Sequence, residues 1–256
     1  MKVLKKKFSL KKELSDLLDK FKIKKGNSIV LHSNSAGLFQ YGFQKKNEVY
    51  ETFINTLIER VGASGTIIIP TYNYDFTKKK LYDKNKTLSK VGLFSNFLLK
   101  KKSFYRTYDP IFSHIVIGKD KNKIEKCKIS ECFGDKSIFS HMHKLNYKII
   151  CFCCSPNKIT FIHYIEKNMM VNYRYNKIFN GYIKKKNKKI KIKIKYNVGD
   201  LNCDYSLKNH KILKLLKKNQ FMHKRFGRFN SYCVTTKYLY NIIKTKLKKN
   251  NNFLIK

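Results

Sequence analysis

The chain has 256 residues, with 57 Lys and Arg against 16 Asp and Glu, a formal net charge of +41; hydrophobic residues make up 42% and aromatics 14%, with no Trp. That length and apolar share suit one large domain or two small ones with a real core, and exclude an intrinsically disordered chain. No apolar run approaches the roughly 20 residues of a transmembrane helix, and the basic stretch 1–12 is not followed by an apolar segment of signal-peptide length, so the sequence reads as a soluble cytoplasmic protein.

The first 25 residues read as a helix, with Leu10, Leu14, Leu17, Leu18 and Phe21 at helical spacing and a stop at Gly26-Asn27. Residues 28–33 form a short buried strand that runs into the small-residue loop Asn34-Ser35-Ala36-Gly37. Residues 48–61 form an amphipathic helix, with Gly62 as its C-cap, and residues 65–71 a second apolar strand ended by Pro70. Strand, helix and strand in this order predict a βαβ unit with a parallel pair. Residues 72–90 are a long polar and aromatic loop, of a length that points to function. A short helix over 91–99 and a strand over 114–118 follow. Gly134 to Ser137 reads as a turn, with Ser137 capping a helix through His143. Residues 147–154 are a buried strand, followed by Ser155-Pro156-Asn157 and a helix from about Thr160.

After Asn172 the character changes. Residues 182–195 read as a β-hairpin turning around Lys186-Asn187-Lys188, with Ile190, Ile192 and Ile194 on a buried face. A basic helix around residues 212–216, a strand over 231–234 and a last helix over 236–247 complete the chain, which shows no internal repeat. The expected fold is α/β: a mixed, partly parallel central sheet flanked by helices, with a C-terminal β-hairpin plus helices. Residues 1–172 make up the core and 173–256 pack on it as one continuous domain.

The charge invites a nucleic-acid reading, because a basic surface attracts phosphate. The excess is nearly all Lys, however, in a chain with only two alanines, Ala36 and Ala63, and with frequent Asn, Ile and Tyr. A·T-rich codon usage produces all of these together. Seven cysteines is an odd number, and Cys151, Cys153 and Cys154 fall in the apolar run KIICFCC, where they read as small buried hydrophobes. A zinc site would want two paired C-x-x-C units, and no such pairing occurs, so no metal is expected, and His141-Met142-His143 reads as solvent-facing.

Two places can carry chemistry. His163 and Glu166 stand three residues apart on one face of the predicted helix after Ser155-Pro156-Asn157. An imidazole oriented by a carboxylate is a natural general base. The ends of the first two strands carry His32-Ser33-Asn34-Ser35 and Pro70-Thr71, hydroxyls and amides placed where open α/β sheets bind ligands. No G-x-G-x-x-G or Walker-type loop is present.

In this order the pieces resemble the aminoglycoside 3-N-acetyltransferase family, a coenzyme-A-dependent antibiotic acetyltransferase fold distinct from the GNAT fold. The family's G-D-x-hydrophobic-x-H-S-S segment reads here as Gly26 through Ser35. Its V-G helix end and G-T-hydrophobic-P-T strand appear as Val61-Gly62 and as Gly65 through Thr71. Its F-D-P and T-P-S-x-x-G stretch appears as Tyr82-Asp83, Thr87, Ser89 and Gly92. Its R-S-x-H-P-x-x-S pattern appears as Arg106-Thr107-Tyr108-Asp109-Pro110, with Ser113 and then Gly118. G-x-x-S-P is close to Gly134 through Ile138, and N-x-T-x-x-H-x-x-E is matched by Asn157, Thr160, His163 and Glu166. Two positions depart: Asp109 stands at the family's His before Pro, and Asn34 at its second Ser. The Asp-Pro form resembles members linked to surface-polysaccharide amino-sugar acylation.

The resemblance implies acyl transfer from acetyl-CoA, or another acyl-CoA, to an amine, with no metal. His163 is then the catalytic base and Glu166 its partner. His32, Ser33, Asn34, Ser35, Thr71, Arg106 and Ser113 fall on the coenzyme side, and Tyr72, Asp75, Asp109 and Asn157 on the amine side. Acceptors in view are an aminoglycoside, as in antibiotic resistance, or a nucleotide-linked amino sugar, whose anionic charge suits a basic chain better. The competing readings are a basic nucleic-acid-binding protein without catalysis, supported only by aromatic and basic interleaving over 173–195, and a scaffold that has lost activity. The oligomeric state stays open, a homodimer included.

Overall fold

Apolar triplets at residues 29–31, 67–69 and 149–151 are too short for helices and too uniformly apolar for one-sided strands, and each becomes a strand buried on both faces. The computed structural model describes residues 9–40, 45–101, 103–205, 208–216 and 222–255. Residues 1–8 of the helix expected over the first 25 residues lie outside them; within them, α1 (Leu10–Lys20) starts at Ser9, whose side chain caps the Lys12 N–H.

The central sheet has seven strands in the order β4-β5-β2-β1-β6-β10-β9. Its middle is parallel: β1 (Ser28–Ser33) lies between β2 (Thr66–Pro70) and β6 (Lys148–Phe152), with Val30 facing both Ile68 and Ile149. The crossover from β1 to β2 is α2 (Lys46–Val61), closed by Gly62 at φ +64°, a left-handed conformation that glycine adopts without strain. Antiparallel strands flank this middle: β5 (His114–Gly118) against β2, with β4 (Tyr105–Arg106) beyond it, and β10 (Phe229–Thr235) against β6, with β9 (Met222–Phe226) at the far edge. The edge strand β9 was not legible in the sequence, because Met-His-Lys-Arg-Phe carries no alternating apolar pattern.

Strand alternation splits the core into two layers. Ile29, Leu31, Ile67, Ile69 and Ile150 face α1, α2 and α3 (Leu93–Leu99). Val30, Ile68, Ile149 and Val234 face the other way, toward α4 (Lys121–Glu125), α5 (Ile138–Lys144), α6 (Phe161–Asn168), α7 (Lys208–Leu215) and α8 (Thr236–Lys249). The loop after β2 holds a short 3₁₀ turn and β3 (Tyr82–Asp83). β3 pairs in parallel with β7 (Arg174–Lys185), which forms a long hairpin with β8 (Lys188–Gly199), giving a second, three-stranded sheet.

Two expectations need correction. The hairpin's apolar face is not uniformly buried: Ile194 is fully covered, but Ile190 near the tip is 39% exposed, because the strands outrun the body they pack on. His141-Met142-His143 does not face solvent. Met142 is in the core, His141 packs edge-on to Tyr147, and the His143 ring stacks on Tyr240 of α8 at 4.2 Å, because α5 is covered by the C-terminal helix. No helix among the described residues is long and apolar enough to cross a membrane.

Candidate active site

The parallel strands β1, β2 and β6 all end on the same side of the sheet, and their carboxyl ends open into a cavity of about 1090 Å³. The loop after β1 forms one wall. Its Asn34 N–H donates to the Phe152 carbonyl at 2.9 Å and its side-chain oxygen accepts the Ala36 N–H at 3.1 Å, starting the 3₁₀ turn Ser35–Gly37. A β-carbon on Gly37 would lie 2.2 Å from the Cys153 sulfur, so only glycine lets this loop lie flush on the end of β6. His32, Ser33, Asn34 and Ser35 all line the cavity, as do Tyr72 and Asn157.

His32 and the neighbouring His114 are buried, which holds their imidazoles down to about 4 and about 3 and keeps both neutral at neutral pH. His114 Nε2 contacts the Tyr72 hydroxyl at 3.1 Å, and burial raises that phenol too. Thr160, singled out in the motif with His163, also lines the cavity; sequence reasoning missed Lys46 and Tyr50 of α2, Tyr74, Cys154 and Lys158, which line it as well. Lys46 and Tyr50 share one face of α2 at i and i+4, a spacing that could have been noticed. Among the described residues that line the cavity, the only charged ones are Lys46 and Lys158, and none is a carboxylate. Cys154 is half-buried at this wall, whereas Cys151 and Cys153 are core residues, and all seven cysteines are free thiols.

The second half of the site is α6. Ser155 caps the 3₁₀ turn Pro156–Lys158, and Thr160 occupies the position before the helix. His163 Nδ1 lies 2.8 Å from Glu166 Oε2. The imidazole is 30% exposed and the carboxylate fully buried. With the carboxylate accepting at Nδ1, the tautomer that carries its proton there leaves Nε2 as the basic nitrogen. Phe133 packs against the ring at 5.7 Å. Glu166 also accepts from the Tyr173 hydroxyl at 3.2 Å and pairs with Arg174 Nη1 at 3.2 Å. His163 itself is not a wall residue of the cavity; it stands one helical turn beyond Thr160, which is.

The structure does not bring the other expected residues to the cavity. Thr71, Arg106 and Ser113 form a buried cluster behind it. Arg106 Nε donates to the Thr71 and Ser113 hydroxyls at 3.1 and 3.2 Å, Nη2 to the Thr71 carbonyl at 2.8 Å, and Nη1 to the carbonyls of Lys84 and Thr87. All of these groups are used in tying the 83–87 turn to the end of β2. Asp75 is paired with Lys90, which holds its carboxyl below the usual range. Asp109 is buried and accepts the Ile111 and Phe112 N–H groups at 2.9 and 2.8 Å; burial nevertheless pushes its carboxyl up to about 6. Among the described residues, no group of three or more His, Cys, Asp or Glu could hold a metal ion.

A sequence profile described as aminoglycoside 3-N-acetyltransferase matches residues 36–248. No curated protein matches the chain in sequence. Among solved structures, AAC-IIIb in binary complex with CoASH superposes with a TM-score of 0.82 at 14% identity, over 94% of this chain and 97% of that one. YokD from Bacillus subtilis gives 0.78 at 16% identity over 94% of each chain. AAC-VIa bound to sisomicin gives 0.77 at 14% identity over 94% of this chain and 98% of that one. At these identities the likeness is one of fold.

Proposed function

The chain belongs to the aminoglycoside 3-N-acetyltransferase family and is an N-acetyltransferase, and we propose that it moves an acetyl group from acetyl-CoA to an amine of an amino sugar or aminoglycoside, with His163 as general base. The observation that carries this reading is the 2.8 Å contact between a partly exposed imidazole and a buried carboxylate, one turn along α6 from the cavity wall. An ammonium has no lone pair with which to attack a thioester, so its proton must leave first or during attack. His163 Nε2 takes that proton, while Glu166 holds Nδ1 and stabilises the imidazolium that forms. The amine nitrogen then bonds to the thioester carbonyl carbon, negative charge collects on the carbonyl oxygen, and collapse breaks the carbon–sulfur bond. Coenzyme A leaves as a thiolate and takes its proton from the His163 imidazolium, while the new amide nitrogen loses its remaining extra proton to solvent.

His32, Ser33, Asn34 and Ser35 line the wall where the coenzyme would lie, and Lys46 and Lys158 offer positive charge to its phosphates. The complex of AAC-IIIb with CoASH, a chain of the same fold, supports this assignment. Thr71, Arg106 and Ser113 act indirectly, by fixing the end of β2. Tyr72 and Asn157 are left to meet the acceptor, and Asp75 and Asp109 serve the surrounding loops. For the acceptor, AAC-VIa bound to sisomicin favours an aminoglycoside. The lack of any carboxylate among the described lining residues favours an anionic, nucleotide-linked amino sugar, since a polycation is drawn to negative charge.

The test is release of coenzyme A thiol from acetyl-CoA with kanamycin-type aminoglycosides and with nucleotide-linked amino sugars. Turnover of the drugs alone would reject the amino-sugar preference. His163→Ala should fold, retain coenzyme A binding and lose about 100- to 10,000-fold in kcat/KM. Full activity of that variant would remove His163 from the chemistry.

A further inference from the structure

Glu166 carries more partners than a base-orienting carboxylate needs, and one of them bears a full charge. Arg174 opens the hairpin strand β7, and its side chain is 5% exposed. Its Nη1 lies 3.2 Å from Glu166 Oε2, the same oxygen that holds His163 Nδ1 at 2.8 Å. Its other nitrogens are not free to wander: Nη2 and Nε donate to the Asn197 carbonyl on β8 at 2.9 and 3.3 Å. The guanidinium is therefore clamped between the carboxylate and the hairpin.

We propose that Arg174 is a positioning residue that sets the basicity of His163 by neutralising Glu166, so that the C-terminal hairpin tunes the proton acceptor on α6. This rests on the reading of His163 as the base. A buried carboxylate alone holds an adjacent imidazolium tightly, and a base already protonated near neutral pH cannot accept the amine's proton. With Arg174 on the shared oxygen, its positive charge offsets the negative charge that the imidazole faces. Glu166 still fixes the tautomer, but its pull on the second proton is weakened.

Tyr173, Tyr196 and Tyr205 also have electrostatic contact with Glu166. Burial raises all three phenols, so they stay neutral through the working range, whereas Arg174 carries a full positive charge. Lys167, the neighbour of Glu166 in sequence, is turned away onto Glu131, which also pairs with Lys195.

Two readouts test this together: the acid limb of the kcat/KM profile, and the NMR titration midpoint of the His163 imidazole, assigned by its loss in His163→Gln. Arg174→Met should move both upward by about one pH unit or more, as removal of a charge at this range does. Glu166→Gln should move the midpoint down. The double variant Glu166→Gln/Arg174→Met, which leaves no buried charge unpaired, should return it toward the wild-type value, and Arg174→Lys should hold it there. If Arg174→Met lowers activity equally at every pH with the titration unmoved, Arg174 is only a brace and the proposal is overturned. Should Arg174→Met fail to fold, the double variant and Arg174→Lys decide the matter, and a displaced midpoint in either overturns it. Because the titration is read without substrate, it stands apart from the test of the base: a fully active His163→Ala removes the catalytic reading while leaving the electrostatic one measurable.

Discussion

Asp109 occupies the position where the resemblance places a histidine, and its surroundings define a local role that can be measured. The carboxylate accepts two backbone N–H groups of the turn that leads into β5, yet burial pushes it up to about 6 from its ordinary 3.8. A carboxyl raised in the folded state binds its proton more tightly there than in the unfolded chain. Its contribution to stability is therefore complete below about pH 4 and is lost as the pH rises toward 6, a cost of order 3 kcal/mol at neutral pH. Asparagine keeps the accepting oxygen and removes the charge. Asp109→Asn should melt at or above the wild-type temperature at pH 7.5, with the difference vanishing near pH 4, and should keep kcat/KM within a few-fold. A large loss of activity in a stable Asp109→Asn protein would show that the carboxylate meets substrate, contrary to its placement behind the cavity.

At the scale of elements, the turn after β1 is the part whose backbone most directly shapes the site. Gly37→Ala places a methyl 2.2 Å from the Cys153 sulfur and 2.5 Å from its β-carbon. One of the two segments must move, which costs about 1–3 kcal/mol for an overpacked site. The displaced loop carries Ser33 to Ser35, so the KM for acetyl-CoA should rise several-fold with a smaller effect on kcat; an unchanged KM would mean that this loop does not touch the coenzyme. The same turn marks what sequence could and could not reveal. β1, α2, β2 and β6 were legible because burial on both faces of a parallel sheet demands unbroken apolar runs, and Gly62 and Ser137 were legible because caps use fixed chemistry. The spacing of His163 and Glu166 gave their shared face. Nothing local gave Arg174 as Glu166's partner, since that contact needs β7 folded back on α6. Nor did it reveal that Arg106, Thr71 and Ser113 spend their hydrogen bonds on one another, or that α8 covers His143. Those facts belong to tertiary packing, which a linear pattern does not encode.

For the whole molecule, the pattern of buried ionisable groups fixes how stability responds to acid. His32 and His114 are held down to about 4 and about 3 by burial, from 6.5 in the unfolded chain. Below pH 6.5 the unfolded chain takes up protons that the folded one refuses, so the stability these two contribute is present above that pH and drains away as it falls toward 4. Asp109 works in the opposite direction over part of the same window, but one carboxyl is set against two imidazoles of equal or larger shift. The balance is a protein that weakens as the medium turns acidic. The net charge of +41 adds to this, because like charges crowded on a folded surface repel one another and protonation only increases the excess. Thermal melts in dilute buffer should therefore show a Tm that is flat from about pH 8 to 7 and falls steadily below 6.5. Moderate salt should raise the Tm at neutral pH by screening the lysines. It should recover only part of the loss at pH 5, because the buried histidines are shielded from ions in solution. A Tm unchanged between pH 7 and 5 would place both imidazoles in contact with water, and with them the wall of the cavity that His32 helps to form.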